Sequence, residues 1–214
     1  MTYLEAVNAV LIRLRQSQVS SVDENEYSLL IGQFVNEAKN LVEDSWNWSV
    51  LRTDVTVSAT VGTQDFTLTG TNPRTRILDA YNTTQKIPLG QENLFVLREL
   101  YNISTTTGAP SRYAVVGLGT SDALKVKVYP SPNVTSSLSF NCVIPQAALS
   151  SNNTTISVPS EPIVQIAYLK AINERGEDQG RLSEIQDRIA TQVLADAIGI
   201  DAYKYEAEIT WQAI

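Results

Sequence analysis

The sequence predicts an α+β protein in which N- and C-terminal helices form a helical bundle and a mostly antiparallel β module is inserted between them. This prediction depends on the spacing of apolar residues along the 214-residue chain. They recur every three or four positions up to about residue 45, alternate with polar residues from about residue 52, and return to the helical spacing after residue 159. Two N-terminal helices are too few to close a core, so we expect them to pack against the returning helices.

The first part of the bundle is predicted at residues 1–51, starting with an amphipathic helix. Thr2 and Glu5 have the spacing of a capping box. In that motif the Thr hydroxyl accepts a hydrogen bond from a free helix amide, and the Glu carboxylate accepts one from the Thr amide. The apolar residues that follow predict a helix over residues 3–17.

A second helix is predicted after a short link, antiparallel to the first. Its start signal is Ser21-x-x-Glu24, and its apolar face runs into Trp46-Asn-Trp48. Two bulky aromatics at the end of a helical pattern are candidates for a partner interface. The alternative for both Trp46 and Trp48 is a role as core anchors.

The β-rich insertion module is predicted at residues 52–158. Alternation up to Val61, a turn at Gly62 and a return through Phe66 and Leu68 predict a hairpin. Further strands are expected at 75–82, 111–117, 123–129 and 136–144, with one short helix at 91–101.

The second part of the bundle is predicted at residues 159–200. One apolar face consists of Ile163, Ile166, Leu169 and Ile172, and another of Leu182, Ile185, Ile189, Val193 and Ala197. Gly176 and Gly180 separate the two series, and Gly199 marks the expected end. The pattern is compatible both with one bent helix and with two helices.

A C-terminal docking tail is predicted at residues 201–214. Chain ends are usually polar, but this one carries Tyr203, Tyr205, Ile209 and Trp211. Such a segment docks either on its own bundle or on a neighbouring subunit or partner. We predict intermolecular contacts, with these four side chains as interface candidates.

Composition excludes most enzyme mechanisms. The chain has no histidine and a single cysteine, so we expect no catalytic residues, no metal and no cofactor. Cys142 lies in an alternating stretch and is expected to be a buried core thiol. Hydrolysis by paired carboxylates stays an alternative, but its candidates, Asp54, Asp65 and Asp79, are spread over turns and strands.

The charge of the chain bears on its partners. A formal net charge of −7 and a pI of about 4.7 argue against a protein that grips nucleic-acid phosphates. No segment has the ~20 apolar residues that a membrane-spanning helix needs, and the first residues lack the features of a signal peptide. We therefore expect no membrane partner.

Several short motifs, taken in their order along the chain, resemble one protein family. They are Tyr3-Leu-Glu-Ala-Val-Asn8, Phe34-Val-Asn-Glu-Ala38, Trp46-Asn-Trp48, Gly108-Ala-Pro-Ser-Arg-Tyr113 and Tyr129-Pro-Ser-Pro132. This succession resembles the head-to-tail adaptors of short-tailed bacteriophages, the tail tubular protein A group. Each motif is short, and the resemblance lies in their order over most of the chain.

The resemblance implies a structural virion protein, made in the host cytoplasm and located in the phage neck. It implies a ring, expected to be a dodecamer, that joins the portal protein to the tail nozzle protein. DNA would pass through its channel without specific binding. Twelve copies would carry a formal charge of about −84, which repels DNA instead of holding it. The alternatives are a receptor- or carbohydrate-binding tail protein and a tail-associated hydrolase.

Overall fold

A computed structural model of the protein describes residues 1–104, 106–176 and 181–204. The α+β class predicted from the sequence is confirmed. The chain divides into a helical unit, Met1–Val50 with Gln146–Ile214, and a β unit, Leu51–Pro145. The helices are α1 (Tyr3–Arg13), α2 (Glu26–Ser45), α3 (Leu94–Ile103), α4 (Ser160–Arg175) and α5 (Leu182–Ala202), and a 3₁₀ turn spans Ser49–Leu51.

The predicted capping box at the start of α1 is present. The Glu5 amide donates to Thr2 Oγ1 at 3.3 Å, and the Thr2 amide donates to Glu5 Oε2 at 2.8 Å. The helix ends at Arg13 rather than at residue 17, because Arg15 has a φ of 57° that interrupts the helical backbone.

The start signal predicted for the second helix, Ser21-x-x-Glu24, was wrong. Helix α2 is capped by Asn25, whose Oδ1 accepts from the Ser28 amide at 2.8 Å. Ser21 and Glu24 instead shape the preceding loop, where Glu24 Oε2 accepts from the Ser20 amide at 2.6 Å. Asn and Ser cap helices about equally well, so spacing alone did not distinguish the two starts.

Helix α4 is the central helix of the helical unit and packs against α1, α2 and α5. It is apolar on several sides, and its buried residues are Pro162, Ile163, Val164, Ala167, Ala171 and Ile172. Gly176, with a φ of 66°, caps its C-terminus in the left-handed conformation that glycine adopts without strain. The C-terminal part of the bundle therefore consists of two helices, not one bent helix.

The segment 146–158 belongs to the helical unit, whereas the sequence placed it in the β module. Its backbone pairs with the start of the chain, because the Tyr3 amide donates to Thr154 O at 2.9 Å and the Ile156 amide donates to Met1 O at 3.0 Å. Asn36 of α2 holds it too, since the Leu149 amide donates to Asn36 Oδ1 at 2.7 Å. The β unit therefore ends at Pro145 and not at residue 158.

The β unit contains two four-stranded sheets. Its strands are β1 (Arg52–Ala59), β2 (Asp65–Thr67), β3 (Arg76–Asn82), β4 (Ile87–Pro88), β5 (Gly90–Gln91), β6 (Thr107–Gly108), β7 (Arg112–Leu118), β8 (Leu124–Tyr129), β9 (Ser131–Pro132) and β10 (Ser136–Val143). One sheet has the order β1-β10-β3-β4, the other β2-β8-β7-β5, and β6 pairs with β9. The pairs β5–β7 and β6–β9 are parallel, and the others are antiparallel.

The predicted hairpin around Gly62 was wrong. Strand β1 pairs along its whole length with β10, and β2 pairs with β8 in the other sheet. The turn at Gly62, where φ is 76°, thus carries the chain from one sheet to the other. The alternation of apolar and polar residues predicted both strands, but it carries no information about which strands pair with each other.

The two sheets share one apolar core. Tyr113 of β7 and Phe140 of β10 meet edge to face, with ring centroids 5.5 Å apart. Cys142 is fully buried in this core, as predicted. Burial is the main cause that raises the pKa of its thiol to about 11, assisted by Asp54 and Asp79. The thiol is therefore protonated at neutral pH and is a packing group rather than a nucleophile.

Candidate interaction surfaces

Helix α5 carries an exposed apolar stripe along one side. Its principal neighbour is α4, against which it packs through Gln186 and Ala190. Large apolar side chains on another side of the helix are exposed, at spacings of three, four and eleven residues that place them on one side. We call this set the α5 stripe: Leu182, Ile185, Ile189, Ile200 and Tyr203.

The α5 stripe corrects the sequence prediction that this face lies in the bundle core. Leu182, Ile185 and Ile189 were expected to face the other helices, but they are exposed. Helix α5 instead packs through side chains that are smaller or polar. Ala190 is one of them, and it is buried. Exposed apolar side chains on one side of a helix are typical of protein–protein interaction sites.

The C-terminal end of α5 is held by a carboxylate clamp. Asp201 accepts from the Ser49 amide at 2.9 Å through Oδ2 and from the Ser49 hydroxyl at 2.6 Å through Oδ1. Lys204 Nζ donates to the same Oδ1 at 3.0 Å. Burial opposes ionisation of Asp201, but the hydrogen bonds from Ser49 and Lys204 outweigh it and lower the pKa of the carboxyl.

We expect Asp201→Asn to destabilise the helical unit by about 1.5–3 kcal/mol at pH 7, the range for hydrogen bonds to a charged group. Because the folded-state pKa is lowered, this stabilisation is complete above the ordinary aspartate pKa of about 4 and is lost as the pH falls through the lowered value. Chemical unfolding at pH 7 and at pH 3 measures it, and the gap between wild type and variant should narrow at pH 3.

A matched control for the clamp is Asp196→Asn on the same helix. Asp196 is exposed and accepts from Gln192 within one helical turn. Its substitution should change the unfolding free energy by less than about 0.5 kcal/mol. Equal effects of the two substitutions would contradict the assigned role of Asp201.

Trp48 was an interface candidate, and the structure corrects that assignment. Its side chain is 1% exposed, and its Nε1 donates to Val42 O at 2.6 Å. It is therefore a core anchor of the helical unit, the alternative that the sequence left open. Trp46, the C-cap residue of α2, is half-buried.

Of the tail candidates, Tyr203 lies within the described residues. It follows the last turn of α5 and is 94% exposed, in line with the α5 stripe. Tyr205, Ile209 and Trp211 lie outside the described residues. Docking of the tail on a neighbouring subunit or partner, rather than on its own bundle, therefore stays a prediction.

A groove of about 460 Å³ lies between α2, α4 and α5 in the helical unit. Leu41, Ile166 and Leu194 line it together with Ala190. Leu41 is exposed and marks the open side of the groove. Its lining is mainly aliphatic, with Lys170 and Asp187 as its charged side chains, so the groove is a candidate packing surface.

The three carboxylates considered for hydrolysis are divided between the two sheets. Asp54 on β1 lies opposite Asn141 on β10, and Asp79 on β3 accepts from the Nδ2 of the same Asn141 at 2.7 Å. Asp65 lies in the other sheet and pairs with Lys127 at 3.0 Å. Among the described residues, no group of three or more His, Cys, Asp or Glu side chains is placed to hold a metal ion.

Exposed aromatics in the β unit bear on the receptor-binding alternative. Phe95 on α3 is 66% exposed, and Tyr81 on β3 is 40% exposed. They lie on different elements, and Tyr81 shares the polar sheet face with its cross-strand partner Ser139.

No helix of the described residues is long and apolar enough to cross a membrane. Comparison with known proteins adds no relative: no protein-family model matches the sequence, and no curated protein matches it significantly.

Proposed function

We propose that this chain is a structural virion protein, a ring-forming head-to-tail adaptor that connects the portal of a short-tailed bacteriophage to the tail nozzle. The ring is a dodecamer and forms part of the DNA channel. The protein is not an enzyme. The resemblance in motif order supports the phage neck as its location, and the α5 stripe is the structural observation that carries an assembling function.

The α5 stripe supports assembly because an exposed apolar row is costly on a solitary subunit. Burying one Ile or Leu side chain contributes about 1.5–3 kcal/mol. In a ring the same interface is repeated between every pair of neighbouring subunits, so even a small apolar stripe contributes many times to the stability of the assembly. The stripe packs against the neighbouring copy.

The connection of the β unit also supports an adaptor. The Ile144 amide donates to Leu51 O at 2.9 Å, and Arg52 pairs with Val143. The chain thus enters and leaves the β unit at adjacent points, as expected of an inserted module. Such a protein can meet one partner through its helices and another through its insertion.

The charge supports passage of DNA without binding. Each copy has a net charge of −7. A ring of such copies repels the phosphate backbone of DNA within about 8 Å, the distance beyond which physiological salt largely screens the interaction between charges.

Electron microscopy of the purified protein, alone and mixed with its portal protein, tests the proposal. We expect rings, or a collar on the portal, with the wild-type chain. The double substitution Ile185→Glu with Ile189→Glu should abolish both, because it places charges in the interface at side chains that are already exposed in the monomer.

The control is Thr191→Glu, an exposed position on a different side of α5, which should still assemble. Both variants should keep the wild-type circular dichroism spectrum and unfold within about 0.5–1 kcal/mol of it. Failure of the wild-type chain to join the portal, or specific binding to a bacterial surface polysaccharide through Phe95, would overturn the proposal in favour of the receptor-binding alternative.

A further inference from the structure

Two arginines flank the N-terminal part of the α5 stripe. Ile185 lies with Arg181 and Arg188 around one small surface depression. Glu184 pairs with both arginines, because its Oε2 lies 2.7 Å from Arg181 Nε and its Oε1 lies 2.8 Å from Arg188 Nη2. The arginine side chains are nevertheless 78% and 77% exposed. Since one carboxylate is shared by two guanidinium groups, this part of the stripe, which we call its arginine end, combines exposed apolar surface with net positive charge.

This positive charge contrasts with the rest of the helical unit. The described residues of that unit include thirteen Asp and Glu but only eight Lys and Arg. Copies of such a unit repel each other, and like charges that face each other across an interface are costly. A contact between copies therefore needs surfaces of locally opposite charge. The surface that receives the arginine end is expected to be both apolar and acidic.

A hollow of about 470 Å³ in the helical unit has an apolar lining. It lies where the start of α1, the start of α2 and the segment 149–153 meet. The buried side chains of Tyr3, Val22 and Leu149 line it, together with Leu29, which is 48% exposed. Apolar side chains of a partner can therefore pack in this hollow against apolar groups.

Acidic side chains lie beside the same hollow. Asp23 lines it and is exposed. The Ser21 hydroxyl donates to Asp23 Oδ1, and this hydrogen bond lowers the pKa of the carboxyl, which is therefore charged at neutral pH. Glu26 is exposed and precedes Leu29 by three residues on α2, so the two lie on the same side of the helix. This acidic hollow is thus complementary to the arginine end in both charge and polarity.

We propose that the arginine end of the α5 stripe docks into the acidic hollow of a second copy of this chain. The inference rests on the proposed ring function and names the surface that receives the stripe. Helix α4 packs against α5 and also against α1 and α2, so the stripe and the hollow lie on different sides of α4. One copy can therefore use each surface with a different neighbour. A contact between two different surfaces is heterologous, the type that closes rings.

Charge reversal in the full-length protein tests the inference. The stripe variant carries Arg181→Glu with Arg188→Glu, and the hollow variant carries Asp23→Lys with Glu26→Lys. Either variant by itself places like charges across every interface, so the protein concentration needed for rings should rise at least about tenfold. An equimolar mixture should restore ring formation to within about threefold of wild type, because each stripe then meets an oppositely charged hollow on the other variant. Mass photometry and sedimentation velocity measure the rings.

Glu99→Lys with Asp122→Lys is the matched control. Both residues are exposed acids of the β unit, and the pair changes the net charge as much as the hollow variant does. This control should form rings at the wild-type concentration. The uncharged pair Asp23→Asn with Glu26→Gln keeps the shape of the hollow and should weaken ring formation less than the reversal. All variants should keep the wild-type circular dichroism spectrum.

Three results would overturn the inference while leaving the adaptor function intact. They are rings of either reversed variant at the wild-type concentration, a mixture of the two that forms no more rings than each alone, and a hollow variant that forms rings but no longer joins the portal. The last result would assign the hollow to the portal protein. Failure of the wild-type chain to form rings counts instead against the ring function itself.

Discussion

Lys39→Met is expected to destabilise the helical unit by about 3–5 kcal/mol, the usual effect of leaving a buried charge without its partner. Lys39 and Glu43 are both fully buried on α2, with Lys39 Nζ 3.3 Å from Glu43 Oε1. The ammonium also donates to Gln146 O at 2.7 Å and to Ala147 O at 3.2 Å. Substitution removes these bonds and leaves the Glu43 carboxylate buried.

A double-mutant cycle separates the ion pair from its other contacts. Glu43→Leu should cost a similar amount, while the double substitution should cost clearly less than the sum, because it removes both buried charges together. Chemical unfolding followed by tryptophan emission measures the effect in the right unit, because Trp46 and Trp48 both lie in the helical unit.

Lys170→Met provides the control for this cycle. Lys170 Nζ lies 2.8 Å from Glu37 Oε2, in a pair between α4 and α2 that is open to solvent. Its loss should cost less than about 1 kcal/mol. Strict additivity in the Lys39–Glu43 cycle, or an equally large effect at Lys170, would contradict the importance assigned to the buried pair.

Trp48→Ala is expected to destabilise the helical unit by about 3–5 kcal/mol. The indole is among the largest fully buried side chains, and its hydrogen bond to Val42 O satisfies a carbonyl near the C-terminus of α2. Truncation opens a cavity and removes this donor. The measurement is again the unfolding free energy from chemical denaturation, here followed by far-UV circular dichroism because the substitution removes a fluorophore.

Trp46→Ala is the natural comparison, two residues away. Trp46 is half-buried, so its truncation removes less apolar surface and should cost at least about 1.5 kcal/mol less than that of Trp48. Equal costs would show that the two indoles have the same packing role. A cost below about 1 kcal/mol at Trp48 would contradict its assignment to the core.

The sequence by itself determined the features that depend on neighbouring residues. The capping box of Thr2 and Glu5 formed because its atoms lie within one helical turn. The strands β3, β7, β8 and β10 lie within a residue or two of their predicted ranges, because alternation follows directly from the geometry of an extended chain. The buried Cys142 followed from the same alternation.

Only the tertiary structure decided which face of each element meets which neighbour. Periodicity groups Leu182, Ile185 and Ile189 on one face of α5, but packing turns Ala190 toward α4 and leaves the three exposed. The pairing of β1 with β10 joins residues more than 75 positions apart. The buried Lys39 ammonium donates hydrogen bonds to backbone carbonyls 107 and 108 positions away. Such contacts depend on the free energy of the whole packed chain, so no local pattern of residues specifies them.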